Sequence, residues 1–125
     1  MPLFTFVVED QPVISENLTS AMEDLVDALV VAVVETEREA VAWLASHRTK
    51  WDIAVVDMFL KEGTRLGVIR ACIPRTAQQR AVVLTNYATA EMRARCVLEG
   101  ADAVFDKSTE LDAFLTFCGS VKDSA

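Results

Sequence analysis

Charged and hydroxyl-bearing residues stand at the ends of four short apolar runs of this chain. In chain order they are Glu9, Asp10, Asp57, Thr85 and Lys107. An ionisable carboxylate beside an apolar run is costly to bury unless it is paired, which makes Asp57 the most informative of the five. Three carboxylates, a hydroxyl group and an ammonium group, once brought together, have the chemistry of a metal-assisted site that accepts a phosphoryl group.

The apolar runs have the length and composition of β-strands, and the segments between them have helical spacing. The predicted strands cover residues 3–8, 28–34, 53–57, 80–84 and 103–105. Alternation of strands and helices predicts an α/β fold with a parallel sheet and right-handed crossovers. Because open α/β sheets bind ligands at the carboxyl ends of their strands, we expect the five polar residues to gather at that edge.

The spacing of apolar residues also predicts the buried side of the first helix, and a capping residue predicts the start of the last one. A first helix, from 11 to about 27, carries an apolar stripe at Ile14, Leu18, Met22 and Leu25. A last helix is predicted to follow a cap at Ser108 or Thr109.

A capping box marks the start of the second helix. The Thr36 hydroxyl can accept the backbone N–H of Glu39, whose side chain can reach back to the start of the helix. This helix is predicted to bury Val41, Leu44 and Ala40. The strand before it, 28–34, is apolar throughout, which is typical of a strand covered on both faces.

Repulsion between the acidic residues predicts a bound cation. Two like charges about 4 Å apart repel by roughly 4 kcal/mol at an effective dielectric constant of about 20. If they met, Glu9, Asp10 and Asp57 would therefore either become harder to ionise or recruit a positive ion. Oxygen ligands of this kind suit Mg²⁺ or Mn²⁺. Lys107 would supply a second positive centre, and Thr85 a hydroxyl donor.

Length and composition narrow the class of protein. The chain has 125 residues, 52% of them hydrophobic, which predicts one domain over residues 1–125. The net charge of −7 argues against direct nucleic-acid binding. The longest apolar run has seven residues, so no membrane span is predicted, and the start of the chain has no signal-peptide pattern. Three widely spaced cysteines predict buried free thiols in a reducing cytoplasm.

The order Glu9-Asp10, Asp57, Thr85, Lys107 resembles the receiver domain of bacterial two-component response regulators, including single-domain chemotaxis regulators. The resemblance covers essentially the whole chain, and the segment 100–108 is also similar to that family's approach to its lysine. It implies a flavodoxin-like, doubly wound five-stranded sheet in the order 2-1-3-4-5 with five helices, a strand order that receivers share with flavodoxin.

The resemblance also implies a role for each site residue. Asp57 would accept a phosphoryl group from a histidine kinase or phosphotransfer protein. Asp10 and Asp57 would ligate Mg²⁺ directly, together with the backbone carbonyl of Phe59, while Glu9 would bind it mainly through water. Thr85 and Lys107 would contact the phosphoryl group. The face from the fourth helix through the last strand to the last helix would then switch for a downstream protein effector.

Three positions depart from the family pattern: Val104, Ser108 and Lys61, which replaces a common proline in the loop after Asp57. Val104 stands where receivers usually carry an aromatic residue that changes rotamer, so Tyr87 becomes the candidate reporter of the switch. Phe105 should point to the opposite face of its strand. Ser108 replaces the proline that usually follows the lysine, and we expect a trans Lys107–Ser108 bond because a cis bond to serine costs about 3 kcal/mol.

Other classes remain as alternatives. A haloacid-dehalogenase-type phosphohydrolase would need an acid at position 59, which is Phe59, so we expect a signalling domain rather than an enzyme. Phe59 and Tyr87 stand at positions that tune the lifetime of the phosphoryl group in the receiver family, and two aromatic residues there imply slow self-dephosphorylation. A flavodoxin-like module for a small ligand would need a phosphate loop after the first strand, where Glu9 and Asp10 would repel phosphate. A degenerate receiver that acts only as a scaffold is the third alternative.

Overall fold

The computed structural model describes residues 2–57, 65–86 and 88–124. Within them, five strands alternate with five helices, as the sequence predicts. In chain order the elements are β1 (Leu3–Val8), α1 (Pro12–Val26), β2 (Ala28–Val34), α2 (Glu37–Ser46), β3 (Ile53–Asp57), α3 (Arg65–Ala71), β4 (Arg80–Thr85), α4 (Ala90–Leu98), β5 (Ala103–Asp106) and α5 (Leu111–Ser124).

The strands form one parallel sheet in the order β2-β1-β3-β4-β5, which confirms the predicted topology. Helices α1 and α5 cover one face, where Met22 and Phe114 join the core. Helices α2 and α3 cover the other face through residues such as Leu44 and Val68, and α4 packs beside them through Cys96. The sheet centre is therefore buried on both sides, as a parallel sheet requires.

The prediction that the second strand is covered on both faces is wrong. Strand β2 is an outer strand of the sheet, and its neighbour is β1. The register of the β1–β2 pairing shifts between Thr5 and Phe6 of β1. Leu29, Val31 and Val33 are exposed, while Ala28 is buried. A continuous apolar run does not distinguish an edge strand from a central one, because strand order depends on contacts far apart in the chain.

Two of the predicted buried helix positions are also wrong. Leu25 in α1 is 67% exposed, and Val26, one residue later, packs against the core in its place. Val41 in α2 is exposed, whereas Ala40 and Leu44 are buried. In both helices neighbouring residues are apolar, so the sequence leaves the rotation of the helix ambiguous by about one position, or roughly 100°.

The helix ends follow the local chemistry. The Thr36 hydroxyl accepts the Glu39 backbone N–H at 3.1 Å, so the predicted cap of α2 is confirmed. Gly100, directly after α4 and its C-cap, has a φ of 119°, which L side chains rarely adopt. The predicted cap of α5 is wrong: the first helical bond goes to the carbonyl of Glu110, and Ser108 donates instead to Asp106.

Two simpler predictions, on the cysteines and on the Lys107–Ser108 bond, hold for the described part of the chain. Cys72, Cys96 and Cys118 are free and buried, and burial raises the pKa of the Cys72 and Cys118 thiols to about 12. All peptide bonds among the described residues are trans, including Lys107–Ser108. None of the described helices has the length and hydropathy needed to cross a membrane.

The packing of α1 predicts unequal effects for two nearby substitutions. Met22→Ala should lower the free energy of unfolding by about 2–5 kcal/mol, because Met22 is fully buried and its truncation leaves a cavity. Leu25→Ala should change it by about 0.5 kcal/mol or less, because Leu25 faces solvent. Urea unfolding of both variants tests this, and equal losses would contradict the orientation of α1.

Candidate functional site

The predicted site residues stand at successive strand ends along one edge of the sheet. Val8 pairs with Val56, so Glu9 follows β1 beside the position of Asp57. Asp57, the last residue of β3, pairs with Leu84, one residue before Thr85. Thr85 in turn pairs with Asp106, one residue before Lys107. At β4 and again at β5, the site residue therefore lies one position beyond the residue that pairs with the site residue of the preceding strand.

A salt bridge joins the two ends of this row. Lys107 Nζ lies 3.3 Å from Glu9 Oε1 although the two residues are 98 positions apart in the chain. Their strands, β5 and β1, are separated by β4 and β3, a distance of about 14 Å at the usual strand spacing of about 4.8 Å. The two side chains therefore meet over the ends of β3 and β4, where Asp57 and Thr85 stand.

The two acids after β1 differ in their surroundings. The Glu9 side chain is 1% exposed and both of its oxygens are used: Oε1 by Lys107, and Oε2 by the Gln11 backbone N–H at 3.1 Å. Asp10 Oδ1 is buried and has no hydrogen-bond partner in the part of the chain that the structure describes. An unsatisfied buried acceptor costs about 1–3 kcal/mol, so Asp10 Oδ1 is the atom best suited to ligate a cation directly.

A Mg²⁺ ion fits this donor set. Among the described residues no three His, Cys, Asp or Glu side chains form a metal cluster. Asp57, whose side chain lies outside the described part, is the further carboxylate in the row of strand ends. Mg²⁺ takes one or two carboxylates and keeps several waters, so Asp10 and Asp57 would suffice, with Glu9 acting through water. Asp10 Oδ1 would then be a metal ligand, and removing the Asp10 side chain would remove this buried acceptor.

Thr85 is fully buried beside Lys107, as the row predicts. Its backbone carbonyl accepts the Lys107 N–H at 2.7 Å, which fixes the start of the Lys107 side chain next to β4. Phe59, Tyr87 and the side chain of Asp57 lie outside the described part of the chain, so their predicted roles stay predictions.

Val104 and Phe105 occupy opposite faces of β5, as predicted. Val104 is buried in the cluster beneath α4. Phe105 packs on the other face against Phe114 and Phe117, with ring centroids 5.9 and 5.6 Å apart. The position of the usual aromatic switch is therefore filled by a small side chain inside the core.

Sequence analysis missed a set of polar residues next to the site. Arg93 in α4 donates to the carbonyls of Ala88 and Val104 and to Glu110, and Asp106 accepts the Ala88 N–H. The Arg93 guanidinium lowers the pKa of Glu110, and Ser108 lowers the pKa of Asp106. The only sequence hint is the pair of acids four positions apart around Lys107.

An apolar groove adjoins Lys107 on the face of the sheet that α1 and α5 cover. It has a volume of about 200 Å³, and α1 and the start of α5 form its walls. Its lining comprises Ile14, Asn17, Leu18, Ala21, Leu84, Lys107 and Leu111. The groove places an exposed apolar surface directly beside the charged edge.

A family model described as the response regulator receiver domain matches residues 5–117. The chain belongs to this family. Receiver domains are signalling domains of response regulators, and membership supports a phosphoacceptor role in two-component signalling. The match begins within β1, spans the other four strands and includes Glu9, Asp10, Asp57, Thr85 and Lys107.

Solved structures of receivers share the fold at low sequence identity. A Francisella response regulator receiver domain is 13% identical, with a TM-score of 0.82 over 98% of this chain and 99% of that one. CheY in a Borrelia burgdorferi complex of CheX, CheY, BeF3 and Mg²⁺ is 16% identical, with a TM-score of 0.82 over 98% and 90%. The phosphorylated cyanobacterial phytochrome response regulator RcpA is 18% identical, with a TM-score of 0.75 over 98% and 93%. No curated protein matches the chain significantly.

The orphaned Asp10 oxygen predicts a metal dependence that can be measured directly. Mg²⁺ should bind to the wild-type protein at one site and raise its melting temperature, because binding to the native state alone stabilises it. Asp10→Ala should weaken Mg²⁺ binding at least about tenfold, whereas Asp24→Ala, at an exposed position on α1, should not. Calorimetric titration measures both, and equal affinities in the two variants would contradict the assignment.

Proposed function

We propose that this chain, acting as a single receiver domain over residues 1–125, accepts a phosphoryl group on Asp57 from a phosphohistidine donor. The observation that carries the proposal is the Glu9–Lys107 salt bridge over the ends of β3 and β4. It brings an acid and an ammonium group to the end of the strand that carries Asp57. That arrangement supports phosphoryl transfer, which chiefly asks a protein for positioning and charge neutralisation.

In the proposed reaction, a carboxylate oxygen of Asp57 attacks phosphorus and forms an acyl phosphate. The bond between phosphorus and the donor imidazole nitrogen breaks, and its electron pair stays on that nitrogen. Asp10 and Asp57, with the backbone carbonyl of Phe59, would hold Mg²⁺, which would supply positive charge beside the phosphoryl oxygens. Lys107 turns from Glu9 toward the new phosphoryl group and adds a second positive charge. The Thr85 hydroxyl donates a hydrogen bond to it.

A donor protein, either a histidine kinase or a phosphotransfer protein, would dock at the groove beside Lys107. The groove is lined by Ile14, Leu18 and Leu111, and Val13 is exposed near its α1 side. Apolar contacts in the groove would hold the donor imidazole beside Lys107. Docking of this kind would not require charged groups of the donor to lie against the acidic surface of the chain. Output would pass to a downstream protein effector through the surface of α4, β5 and α5, where Val97 and Leu98 are exposed.

The class of the protein is tested by phosphorylation with a small donor. With Mg²⁺ and acetyl phosphate, the wild-type protein should gain the mass of one phosphoryl group. Asp57→Asn should abolish the adduct, and Asp112→Asn, which changes an exposed acid at the start of α5, should leave it intact. Absence of an adduct on the folded wild-type protein would favour the phosphorylation-independent scaffold.

The lifetime of the adduct tests the proposed setting of Asp57 between two aromatic residues. Phe59 and Tyr87 stand two positions after Asp57 and Thr85, and we propose that they limit access of water to the acyl phosphate. Phe59→Asn should therefore speed hydrolysis at least about tenfold by admitting and orienting water. Decay of the adduct after removal of the donor gives the rate, and an unchanged half-life would contradict this role of Phe59.

A further inference from the structure

Two polar residues beside the site, Asp106 and Arg93, hold the backbone of Ala88 from two sides, and Glu110 links them. The Ala88 N–H donates to Asp106 Oδ2 at 3.3 Å, and the Ala88 carbonyl accepts from Arg93 Nε at 3.1 Å. Glu110 joins the other two, because its Oε1 accepts both from the Arg93 guanidinium and from the Asp106 backbone N–H. Arg93, Asp106 and Glu110 are called the Ala88 clasp below.

Arg93 is committed to this arrangement with all three of its guanidinium nitrogens. Nε bonds Ala88, one terminal nitrogen bonds the Val104 carbonyl at 3.1 Å, and the other bonds Glu110. A guanidinium is planar, so three contacts in different directions fix its position far more than a single ion pair would. The clasp thus ties the start of α4 to the backbone of β5 and to the residue that precedes α5.

The clasp is linked through short stretches of backbone to both residues that would contact the phosphoryl group. Ala88 follows Thr85 by three positions, and Asp106 directly precedes Lys107. The Lys107 N–H also bonds the Thr85 carbonyl at 2.7 Å, so the ends of β4 and β5 are joined. A shift of the Thr85 end of β4 toward Asp57 would pull on Ala88, which is held at both its N–H and its carbonyl.

We propose that the Ala88 clasp holds the backbone at Ala88, just before α4, in its resting position, and that phosphorylation of Asp57 opens the clasp. Arg93 is then a positioning residue that couples Thr85 to the surface of α4, β5 and α5. The inference rests on the proposed function of Asp57. Val104 has a small side chain inside the core, so it lacks the aromatic ring that usually changes rotamer at this position. Its backbone carbonyl is instead one of the groups that Arg93 binds.

The direction of the effect follows from linkage. In this structure Lys107 is paired with Glu9, so the clasp belongs to the state in which the lysine is not engaged by a phosphoryl group. A contact that is made in only one of two conformations stabilises that conformation. Its removal shifts the population toward the other conformation and so tightens the binding of a ligand that prefers it. Loss of the clasp should therefore tighten the binding of a phosphoryl mimic at Asp57.

The test is a titration with beryllium trifluoride, which copies a phosphoryl group, in the presence of Mg²⁺. Arg93→Gln and Glu110→Gln should each bind it about fivefold or more tightly than the wild-type protein. Their double variant should gain little beyond either single change, because both remove the same contact. Arg95→Gln is the matched control: it removes the same charge from the same helix, but the contact of Arg95 is with Glu99, at 4.0 Å.

A second measurement uses the wild-type protein and needs no variant. The Arg93 Nε–H, which donates to Ala88, should exchange slowly with solvent in the free protein and quickly once beryllium trifluoride is bound. Slow exchange in both states, or unchanged affinity in Arg93→Gln, would overturn the clasp. If the wild-type protein itself fails to bind the mimic, the proposed function fails and the clasp with it; binding by the wild type separates the two.

Discussion

The buried ion pair between Glu9 and Lys107 is the interaction on which the site depends. The Glu9 side chain is almost completely removed from water, so it needs a positive partner to stay charged. That partner comes from the far end of the chain and reaches over two strand ends to meet it. Removing one member of a buried pair costs about 3–5 kcal/mol, so the pair constrains the positions of β1 and β5 as well as supplying charge.

The parallel sheet makes this pairing available at little additional cost. With the strand order β2-β1-β3-β4-β5, the carboxyl ends of β1, β3, β4 and β5 form one continuous row. The row leaves Asp10 Oδ1 buried without a partner while both carboxylate oxygens of Glu9 are engaged. A divalent cation would complete the balance of charge, which explains why an acidic edge is compatible with a stable fold.

The Ala88 clasp gives this local chemistry a route to the surface. The site lies at one end of β4 and β5, and the clasp binds the segment that follows β4 to β5 and α5. Its members are about one-third exposed, as the Arg93 and Glu110 side chains show, so it can open without exposing the core. The hydrophobic cluster under α4, with Val83, Cys96 and Val104, keeps the helix in place while the polar contacts change.

The strands could be predicted from local patterns, because each is a short apolar run followed by a polar residue. Their order in the sheet was expected only from the resemblance to receivers, because strand order depends on contacts far apart in the chain. Leu25 and Val41 were misplaced because several adjacent residues in α1 and α2 are apolar, so the pattern does not fix the rotation of the helix. The prediction of a covered β2 failed since an apolar run carries no information about whether a strand is at the edge. The clasp was beyond sequence reasoning for a related reason: Arg93 bonds residues 5, 11 and 17 positions away, and no local spacing rule connects an arginine with partners at such separations.

The most direct measurement of the central claim is the paramagnetic broadening of backbone amide signals by Mn²⁺ added in place of Mg²⁺. If the strand ends form one metal-binding edge, the amides of Glu9, Asp10, Asp57 and Thr85 should broaden first and together. Signals of acids at the opposite edge, such as Asp52 and Asp102, should persist. Broadening spread evenly over the exposed acids of the protein, with no preference for the first group, would contradict the account.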